Sequence, residues 1–520
     1  MNHTTGKVAI VSRRLEGRRG DVEAVTGLAV SGAGPIVLVA TTRDDPDTAT
    51  AEAEARKAGA GLAVFAPGPL AISIFEHARR PLCYRVSGVE APPFEEARFD
   101  SLKAVLAELV ALAPPGEIRL EADLDPADSS VVWLCPYTRR RISASRALDI
   151  AGDALRHRAR TARRSFAVGI TRWKRDVVSA FLGGPNGSPV FADIDRTVAG
   201  AKAASGRIVV WASRRTEEVE RAAHEAGAPL ARLEDGFLRS VGLGSAFVRP
   251  VSLVLDEGGI YYDPSTPSDL ETLLREADLP PALVARAAAL RRRIVEAGAT
   301  KYNVGASGPR VVPEGRLGVL VPGQVEDDAS ILRGAGAVRT NRALVAAVRA
   351  RRPDAFIVYK PHPDVVAGYR KGAPADPEIA ELADAVVTEG SIADLYPQCV
   401  GLETMTSLAG FEALLRGLEV TTHGQPFYAG WGLTEDLAPP SPRRGGTRSL
   451  DELVAAALIL YPLYLDPVSG LPCGPETALD RILEARNAAS GGQGRLAARL
   501  SHAYALARHR LLGPFARGRL

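Results

Sequence analysis

The sequence predicts an α/β protein built from parallel sheets that helices cover on both faces. Short runs of apolar, β-branched residues alternate with segments rich in Ala, Arg and Glu along most of the 520 residues. The 46% hydrophobic and 24% charged residues are the balance of an ordinary globular protein. Ligand sites in such sheets gather in loops at the carboxyl ends of strands, so we expect the chemistry of this protein there.

The predicted strands and helices follow one another from one end of the sequence nearly to the other. Apolar runs predict strands at Val8–Val11, Ile36–Thr41, Val131–Leu134, Ile208–Ala212, Ser252–Leu255, Leu317–Val321, Phe356–Tyr359, Ala385–Val387 and Glu419–Thr421. Longer amphipathic runs predict helices at Ser101–Leu112, Glu217–Ala226, Pro281–Ala297, Asn341–Arg351 and Leu408–Arg416. This order is typical of parallel strands joined by crossover helices.

At about 150 residues per domain, the length predicts three or four domains. We place an α/β domain of unknown role at residues 1–160, two sheet domains at 165–310 and 311–480, and a helical tail at 481–520. In the tail, apolar residues recur at helical spacing among arginines, namely Leu496, Leu500, Tyr504 and Leu511 with Arg495, Arg499, Arg508 and Arg510. Such a helix can lie on an anionic membrane surface or pack one face against the protein, and both interpretations stay open.

Composition and charge exclude several classes of protein. A net charge of +3, from 64 basic and 61 acidic residues, is too small for the whole chain to be a nucleic-acid binder. The four cysteines lie far apart and form no CxxC pair, which argues against a disulfide framework and a cysteine zinc site. No signal peptide fits the N-terminus and no apolar window reaches about 18 residues, so we expect a cytoplasmic protein with at most peripheral membrane contact.

Two adjacent carboxylates, Glu234 and Asp235, follow a predicted strand in the stretch Arg232–Ser245. Acids at the carboxyl edge of a strand, beside glycine-rich backbone, suit general acid/base chemistry or the binding of sugar hydroxyls. The alternative is an ordinary turn in which Asp235-Gly236 supplies a positive φ. The glycines 242 and 244 do not complete a GxGxxG motif, so a dinucleotide fingerprint has little support.

A second acidic cluster follows the predicted strand Leu317–Val321. After Pro322-Gly323 the chain carries, within five positions, Gln324, Glu326, Asp327 and Asp328. Clustered carboxylates repel one another, which raises the pKa of at least one of them or requires a cation. Three interpretations stay open: a divalent-metal site, a carboxylate nucleophile or base, and an acidic cap on a helix that starts at Ala329.

The third stretch, Ile357–Val365, delivers Lys360 and His362 into a loop that prolines stiffen. Lys360 is one of only eight lysines in a chain that otherwise uses arginine, and its position at a strand end suits a phosphate. Prolines on both sides of His362 restrict its backbone, which suits a preorganised imidazole. The alternative for His362 is an ordinary polar surface residue.

The fourth stretch places Thr404, Thr406 and Ser407 before the predicted helix Leu408–Arg416. Free backbone N–H groups and hydroxyls at a helix start can hold a nucleotide phosphate, and Glu412 lies close enough to reach a ribose. The alternative is a plain Ser/Thr cap.

The last stretch, His423–Asp436, interleaves three glycines with the aromatic residues Phe427, Tyr428 and Trp431. Exposed aromatic rings among glycines can form a platform for a sugar or a base. They can equally fix the loop to the core, and the sequence does not decide between the two.

Seven motifs occur in a fixed order: EDGFLRSVGLGS, GIYYD, KYNVG, PGQVEDDAS, KPHPD, TSLAGFEALLRG and QPFYAGWGLT. Together they resemble the bacterial capsule-assembly β-Kdo transferases, which move Kdo (3-deoxy-D-manno-oct-2-ulosonic acid) from CMP-Kdo. The segment YPLYLDPVSGLPCGPE is similar to the end of that family's module. The resemblance covers residues 165–480 and one module, whereas the best-known members of the family carry two in tandem.

This resemblance implies a GT-B-like pair of Rossmann-type domains with the active site in the cleft between them. It implies retention of the β configuration through a glycosyl–aspartate intermediate, with Asp328 as nucleophile and Asp327 as the alternative. Glu234 would assist as acid/base, and His362 would contact the donor. The residues that would hold the CMP moiety are Lys360, Pro363, Thr406, Ser407 and Glu412. Further substrate contacts would come from Asp235, Arg239, Gln324, Ser330, Tyr428 and Trp431.

The partners implied by the resemblance are CMP-Kdo and a lipid-linked saccharide acceptor, with an anionic membrane surface and capsule assembly proteins as further candidates. No nucleic acid, metal or other cofactor is expected. A retaining double displacement needs one carboxylate nucleophile and one proton-transfer group, and basic residues with a helix N-terminus can absorb the charge of the leaving CMP. The alternatives are an export accessory protein that binds without turnover and a GT-B enzyme that uses another nucleotide sugar.

Overall fold

A computed structural model describes residues 9–10, 36–40, 61–67, 70–78, 80–87, 113–120, 131–213, 217–241, 248–303, 308–368 and 376–490. Three sequence predictions lie outside these residues: the helix Ser101–Leu112, the glycine pair at 242 and 244, and the basic part of the tail after residue 490. The described residues fall into two compact units. One contains residues up to Ala162 together with Asp466–Gly474, and the other contains the rest.

The smaller unit contains two sheets. Its strands are β1 (Ala9–Ile10), β2 (Ile36–Ala40), β3 (Gly61–Pro67), β4 (Leu70–Ile72), β5 (Cys83–Ser87), β6 (Ile118–Leu120) and β7 (Val131–Trp133), and its helices are α1 (Ser73–His77) and α2 (Ala144–Arg160). Five strands form one sheet in the order β1-β2-β3-β5-β7, while β4 and β6 pair separately. Strands β1 to β3 are parallel, and β5 and β7 are antiparallel to their neighbours.

Helix α2 begins where Ser143 caps it, because the Ser143 hydroxyl accepts a hydrogen bond from the backbone N–H of Arg146 at 3.2 Å. Its apolar residues Leu148, Ala151 and Leu155 recur at helical spacing and are buried. The Tyr137 hydroxyl donates to the carbonyl of Pro472 at 2.6 Å, and this bond joins the segment Asp466–Gly474 to the rest of the smaller unit.

The first sheet of the larger unit is mostly parallel. Its strands are β8 (Ser165–Ala167), β9 (Val190–Phe191), β10 (Arg207–Trp211), β11 (Leu230–Asp235), β12 (Ser252–Asp256) and β19 (Pro462–Tyr464), and its helices are α3 (Arg172–Leu182), α4 (Ile194–Ala203) and α5 (Glu217–Ala226). The order is β19-β12-β11-β10-β8-β9. Alternate residues of β10 enter two apolar cores: Val209 and Trp211 pack with α3, and Ile208 and Val210 pack on the opposite face.

The second sheet of the larger unit is entirely parallel. Its strands are β13 (Gly318–Pro322), β14 (Phe356–Lys360), β15 (Ala385–Val386), β16 (Gly401–Thr404), β17 (Glu419–Thr422) and β18 (Glu435–Asp436). Its helices are α8 (Ala329–Gly334), α9 (Asn341–Arg351), α10 (Pro363–Val366), α11 (Pro377–Leu382) and α12 (Leu408–Leu415). The order β15-β14-β13-β16-β17-β18 reverses direction between β13 and β16, and ligands of doubly wound sheets bind at that switch point.

The larger unit also contains the helices α6 (Asp269–Glu276), α7 (Pro281–Glu296), α13 (Leu450–Val454) with its π-helical continuation Ala455–Leu460, and α14 (Pro475–Ser490), and the short 3-10 helices Ile392–Asp394 and Tyr396–Gln398. Several ion pairs tie α7 to later parts of the chain. Arg286 forms a two-pronged contact with Glu476 at 2.7 and 2.8 Å, and Arg291 contacts Asp451 at 2.7 Å. Among the described residues, none of the helices has the length and apolar content needed to cross a membrane.

The predicted α/β class is confirmed, and most predicted strands and helices lie within two residues of the observed ones. One topological expectation was incomplete, because β12 runs antiparallel to β11 and β19 runs antiparallel to β12. The described part of the connection from Asp235 to Ser252 contains no helix. A parallel return needs a crossover, so the chain pairs back in the antiparallel sense.

Candidate active site

Gln324, which follows β13, bridges the loops at the switch point of the second sheet with hydrogen bonds. Its side-chain oxygen accepts from the backbone N–H of Thr406 at 3.0 Å, and its amide nitrogen donates to the Thr406 hydroxyl at 3.0 Å. Its backbone N–H donates to Asn341 at the start of α9, at 2.8 Å. Gln324 therefore fixes the loop after β13 to the loop after β16, at the edge where a nucleotide is expected.

Asp328 lies in the same loop and occupies the N-cap position of α8. Its side chain makes no capping hydrogen bond. Instead, its Oδ2 accepts from the Ser330 hydroxyl at 3.0 Å. The nearby Glu326 accepts a hydrogen bond from the backbone N–H of Asn341, the first residue of α9, at 2.7 Å. In the part of the chain that the structure describes, no three His, Cys, Asp or Glu residues converge in a way that could hold a metal ion.

Glu234 and Asp235 end β11 in the first sheet. Asp235 Oδ2 accepts from the guanidinium of Arg239 at 2.8 Å. Arg239 is only 1% exposed and also donates to the Ser240 hydroxyl and to the carbonyl of Val248. The arginine is therefore held in place by three partners, and it holds the aspartate.

Gly236, which follows the two acids, does not have a positive φ, so the predicted positive-φ turn is wrong. The reason for glycine is close packing instead. A Cβ atom at this position would lie 2.2 Å from the Ser252 hydroxyl oxygen on the neighbouring strand. The contact keeps β11 and β12 together directly beyond the acid pair.

The environments of the two acids shift their pKa values in opposite directions. Burial raises the pKa of Glu234, and the charge of Asp235 raises it further against the opposing charge of Lys174. Burial alone would raise the pKa of Asp235 too, but Arg239 and Lys174 outweigh it and hold that pKa below its usual value. Such a division is typical of an acid pair in which one member carries protons and the other stays charged.

Two lysines that the sequence analysis assigned no role lie around this pair. Lys174, on α3, places its ammonium 3.0 Å from the ring centroid of Trp211. Lys301 lies in the segment after α7, and burial would lower its pKa, but its anionic surroundings, including Asp235 and Glu234, raise it. A lysine in an arginine-rich chain was the available signal for both positions, as it was for Lys360.

Tyr261 and Tyr262 connect this acid pair to Asp328 of the second sheet. Burial raises the pKa of both tyrosines, and the charges of Glu234 and Asp328 both add to that rise. Glu234 and Asp328, which follow strands of different sheets, therefore both act electrostatically on this pair of phenols. An ion pair between Arg333 of α8 and Asp263, at 3.5 Å, joins the segment after β13 to the segment after β12, and we call this boundary between the two sheets the seam.

Several buried polar atoms at this seam have no hydrogen-bond partner among the described residues. They are Glu234 Oε2, Asp235 Oδ1 and the hydroxyl oxygen of Tyr262. Buried polar atoms in folded proteins are almost always hydrogen-bonded to protein, water or ligand. Acceptors and a hydroxyl of this kind match the hydroxyl groups of a sugar.

His362 caps the short helix α10, since its Nδ1 accepts from the backbone N–H of Asp364 at 3.1 Å. A neutral imidazole with an acceptor at Nδ1 carries its proton on Nε2. Burial raises the pKa of Tyr302, and among the charges that act on it are those of Asp364, Arg239 and Asp235. Tyr302 is therefore influenced both by Asp364, in the loop of His362 and Pro363, and by Asp235 of the acid pair.

Lys360 is buried, and its ammonium donates to three backbone carbonyls, those of Thr388, Glu389 and Gly390, at 3.3, 2.7 and 3.0 Å. Burial lowers its pKa to about 8. In this structure Lys360 fixes the loop after β15. A phosphate contact at this position stays a prediction that would require the ammonium to exchange partners.

Ser407 caps α12, because its hydroxyl accepts from the backbone N–H of Ala409 at 3.1 Å. Glu412, further along this helix, is buried and binds protein groups: it accepts from the backbone N–H of Lys301 at 2.7 Å and from the Tyr396 hydroxyl at 2.9 Å. Burial raises the pKa of Glu412. These contacts join α12 to the segment that follows α7, and a ribose contact by Glu412 stays a prediction.

Tyr428 and Trp431 are 0% and 1% exposed, so the interpretation of an exposed aromatic platform is wrong. The Tyr428 hydroxyl donates to the carbonyl of Ser407 at 2.5 Å, and Trp431 Nε1 donates to the carbonyl of Phe427 at 2.9 Å. The ring of Phe427 stacks on Phe237 at 4.7 Å between centroids. The aromatic loop therefore fixes the second sheet to the segment after Glu234, which is the alternative that the sequence left open.

Comparison with known proteins places this arrangement in a family. The model of the family described as "Capsule polysaccharide biosynthesis protein" matches residues 206–307 and 287–464. LpsZ, a lipopolysaccharide-processing protein of Rhizobium meliloti, is 42% identical over 303 residues, which are 57% of this chain and 69% of LpsZ. The capsule polysaccharide modification protein LipA of Neisseria meningitidis serogroup A is 39% identical over 363 residues, which are 70% of this chain and 51% of LipA. The chain thus spans about half the length of LipA.

A solved structure of similar fold is the β-Kdo 2,4 transferase of KpsC from Thermosulfurimonas dismutans. It is 34% identical, covers 61% of this chain and 97% of its own, and superposes with a TM-score of 0.56. With two six-stranded, mostly parallel sheets, this match confirms the predicted GT-B-like pair of Rossmann-type domains. The sequence, the fold and the relatives agree, and the chain belongs to the capsule polysaccharide biosynthesis protein family.

Proposed function

We propose that the chain is a retaining glycosyltransferase that moves Kdo from CMP-Kdo to a saccharide acceptor in capsule or surface polysaccharide assembly. The observation that carries the proposal is that Glu234 and Asp328, which follow strands of different sheets, both act electrostatically on Tyr261 and Tyr262. The Arg333–Asp263 ion pair joins the helix that begins at Asp328 to the segment of these tyrosines. A double displacement needs two such groups on one substrate. The similarity to a β-Kdo transferase supports the choice of sugar.

In the first step of the proposed mechanism, a carboxylate oxygen of Asp328 attacks the anomeric carbon of the sugar. The bond from that carbon to the phosphate oxygen breaks, and CMP leaves with the bonding electrons. The Ser330 hydroxyl, at 3.0 Å from Asp328 Oδ2, orients the carboxylate so that its other oxygen can act as nucleophile. A phosphate leaving group needs little help from an acid, so Glu234 is not required at this stage.

In the second step, the acceptor hydroxyl attacks the anomeric carbon of the glycosyl–Asp328 ester from the side opposite Asp328. The bond from that carbon to the Asp328 oxygen breaks, Asp328 leaves as the free carboxylate, and the hydroxyl proton passes to Glu234. The raised pKa of Glu234 suits this role, because a base whose pKa lies nearer the working pH binds and releases a proton more readily. Two inversions at one carbon retain the β configuration.

The donor's phosphate and cytidine would lie at the switch point of the second sheet. There the start of α12, with Thr406 and Ser407, offers the positive end of a helix dipole. His362 would contact the donor through Nε2–H. The start of α12 and Lys360 would balance the charge of the phosphate without a metal ion. Gln324 and Pro363 shape the two loops that enclose this position.

The acceptor in this proposal is a lipid-linked saccharide, so the reaction takes place on the cytoplasmic side of the inner membrane. The basic tail beyond residue 490 would then hold the protein on the anionic surface. Capsule assembly proteins are the further partners that such a location implies.

The test is release of CMP from CMP-Kdo in the presence of a saccharide acceptor, combined with intact-protein mass spectrometry. We expect Asp328→Asn to abolish release and Asp327→Asn, its matched control, to leave activity largely intact. Glu234→Gln should slow the second step by about 10²- to 10⁴-fold, the usual worth of general acid–base help. Because its first step survives, Glu234→Gln should accumulate a Kdo-sized adduct on the peptide that contains Asp328.

Four outcomes would contradict the proposal. Full CMP release by Asp328→Asn would remove the nucleophile, and an adduct on the peptide of Glu234 would reverse the roles. Failure of the wild-type protein to release CMP, together with stabilisation by UDP or GDP sugars in a thermal-shift panel, would point to a GT-B enzyme with another donor. Binding of CMP-Kdo without turnover would favour an accessory protein.

A further inference from the structure

The hydroxyl of Tyr262 is a buried polar group for which the fold supplies no partner among the described residues. The residue is 9% exposed, and its hydroxyl oxygen makes no hydrogen bond to them. Another buried tyrosine of the larger unit, Tyr461, donates its hydroxyl hydrogen to Asp256 at 2.7 Å, as a buried phenol normally does. An unsatisfied buried hydroxyl costs free energy, so this group needs a partner from outside the described residues, and a ligand can supply it.

The position of this hydroxyl indicates which ligand. The ring of Tyr261, which meets Tyr262 edge-on, also meets Phe237, two positions after Asp235, edge-on at 4.9 Å between centroids. Tyr262 therefore lies near the acid pair, and beyond the effect of burial the charges of Glu234 and Asp328 raise its pKa. It stays protonated at every working pH and can act as a donor. Two further buried oxygens without a partner in the described chain, Glu234 Oε2 and Asp235 Oδ1, are acceptors.

The ring of Tyr262 is fixed in this position from several sides. It meets the ring of Tyr261 edge-on at 5.2 Å between centroids, and the neighbouring Asp263 pairs with Arg333 of α8. A Cβ on Gly334 would lie 3.2 Å from the carbonyl oxygen of Tyr262 and 3.1 Å from Thr406, so α8 packs closely between them. The hydroxyl is therefore preorganised at the seam of the two sheets.

We propose that Tyr262 donates a hydrogen bond to the transferred sugar, in a subsite where Glu234 Oε2 and Asp235 Oδ1 accept hydrogen bonds from the sugar's hydroxyls. One donor and two acceptors fit the hydroxyl groups of a polyhydroxylated ring. This inference rests on the proposed transferase function, and it deepens that function by naming the groups that bind the sugar.

The experiment compares Tyr262→Phe with Tyr461→Phe, both of which remove one oxygen atom and keep the ring. Without ligand, Tyr262→Phe should unfold at the wild-type temperature or above it, because no protein hydrogen bond is lost. Tyr461→Phe should unfold at a lower temperature, because Asp256 loses a donor. With CMP-Kdo and acceptor, Tyr262→Phe should lose about 10- to 100-fold in kcat/KM, the worth of one hydrogen bond to substrate.

Each other outcome is decisive. A fall in the unfolding temperature of Tyr262→Phe that equals that of Tyr461→Phe would show a protein partner for the hydroxyl and overturn the inference. A stable Tyr262→Phe with wild-type kcat/KM would overturn it as well.

Failure of the proposed function is distinguished by the wild-type protein, which would then release no CMP. In that case the comparison uses thermal stabilisation of wild type and Tyr262→Phe by UDP-glucose, GDP-mannose and CMP-Kdo, each against its free nucleotide. The contribution of the sugar is the stabilisation by the nucleotide sugar minus the stabilisation by the free nucleotide. If wild type shows this contribution and Tyr262→Phe loses it, the subsite is supported. If Tyr262→Phe keeps it, or wild type does not show it, the subsite is refuted.

Discussion

Arg239 is the residue whose removal should have the largest effect on stability among those around the acid pair. Its guanidinium is 1% exposed, and the Asp235 carboxylate that it binds at 2.8 Å has a side chain 19% exposed. The substitution Arg239→Met keeps the apolar stem but leaves a half-buried carboxylate without its partner. Breaking such a pair costs about 3 to 5 kcal/mol, and the partial exposure of Asp235 places our expectation at the lower end, about 3 kcal/mol.

Urea unfolding followed by tryptophan fluorescence measures this loss, since Trp211 lies in the same core as β11. With a slope of about 3 kcal/mol per molar urea, the midpoint should fall by about 1 M. The matched control is Arg293→Met, which removes an arginine from its ion pair with Asp480. Those side chains are 43% and 53% exposed, so the expected loss is at most about 1 kcal/mol.

The pH dependence separates the charge effect from lost packing. The folded-state pKa of Asp235 lies below its unfolded value, so the carboxylate contributes stability above the unfolded pKa and loses it as the pH falls through the folded pKa. The difference between wild type and Arg239→Met should therefore be large at pH 7 and shrink below about pH 4. A difference that does not change with pH, or a loss no larger than that of Arg293→Met, would refute the reasoning.

Two further predictions concern the second sheet. In Gly410→Ala the new Cβ would lie 2.2 Å from the Tyr428 hydroxyl oxygen, so overpacking of about 1 to 3 kcal/mol should exceed the helix-propensity gain of about 1 kcal/mol and lower the melting temperature. Gly445→Ala, with no atom within 4 Å, should change little, and an unchanged Gly410→Ala would contradict the packing. For Lys360, the folded pKa of about 8 lies below the unfolded value of about 10.4, so its contribution to stability rises with pH between these values. In Lys360→Met that rise should be absent, so the difference in the free energy of unfolding between wild type and Lys360→Met should change between about pH 8 and pH 10.4. A constant difference in urea titrations across this range would contradict the prediction.

The sequence predicted the fold where local signals and tertiary packing agree. The helices Glu217–Ala226 and Asn341–Arg351 have the predicted bounds at both ends. The second of these begins at a Thr340 cap whose hydroxyl accepts from the backbone N–H of Ala343, a signal that is local in the chain. Strand direction is not local. The antiparallel course of β12 depends on β19, which is about 200 residues away in sequence.

For the site, residue type predicted chemistry better than it predicted partners. Beyond the effect of burial, the charges of Glu234, Asp328 and Asp235 all raise the pKa of Tyr261, and their joint role at one substrate stays a prediction. Lys360 and Glu412 were expected to face a nucleotide, yet each binds protein groups in this structure. A lysine or glutamate at a strand end or helix start has the same local pattern whether its partner is a ligand or a backbone group, so the sequence cannot separate the two.

The sequence left the role of the aromatic loop undecided for a related reason. Phe427, Tyr428 and Trp431 among glycines fit both a ligand platform and a core staple, and only the distant Phe237 ring decides between them. Likewise, Lys174 lies 60 positions before Glu234, and no local pattern links a lysine on one helix to an acid at the end of a strand. These contacts are long-range, and a single sequence carries no record of them.

The adjacent acids Glu234 and Asp235 show why environment, more than residue type, assigns chemical roles. Both are carboxylates at the end of one strand, and burial by itself would raise the pKa of each. Of the two acids, Asp235 is the one that accepts a hydrogen bond from Arg239, so the aspartate keeps its charge, and that fixed charge then makes a second charge on Glu234 less favourable. The arginine therefore acts on the glutamate through the aspartate. We therefore expect Asp235 to stay charged and Glu234 to carry the proton, because the hydrogen bond from Arg239 distinguishes two adjacent carboxylates.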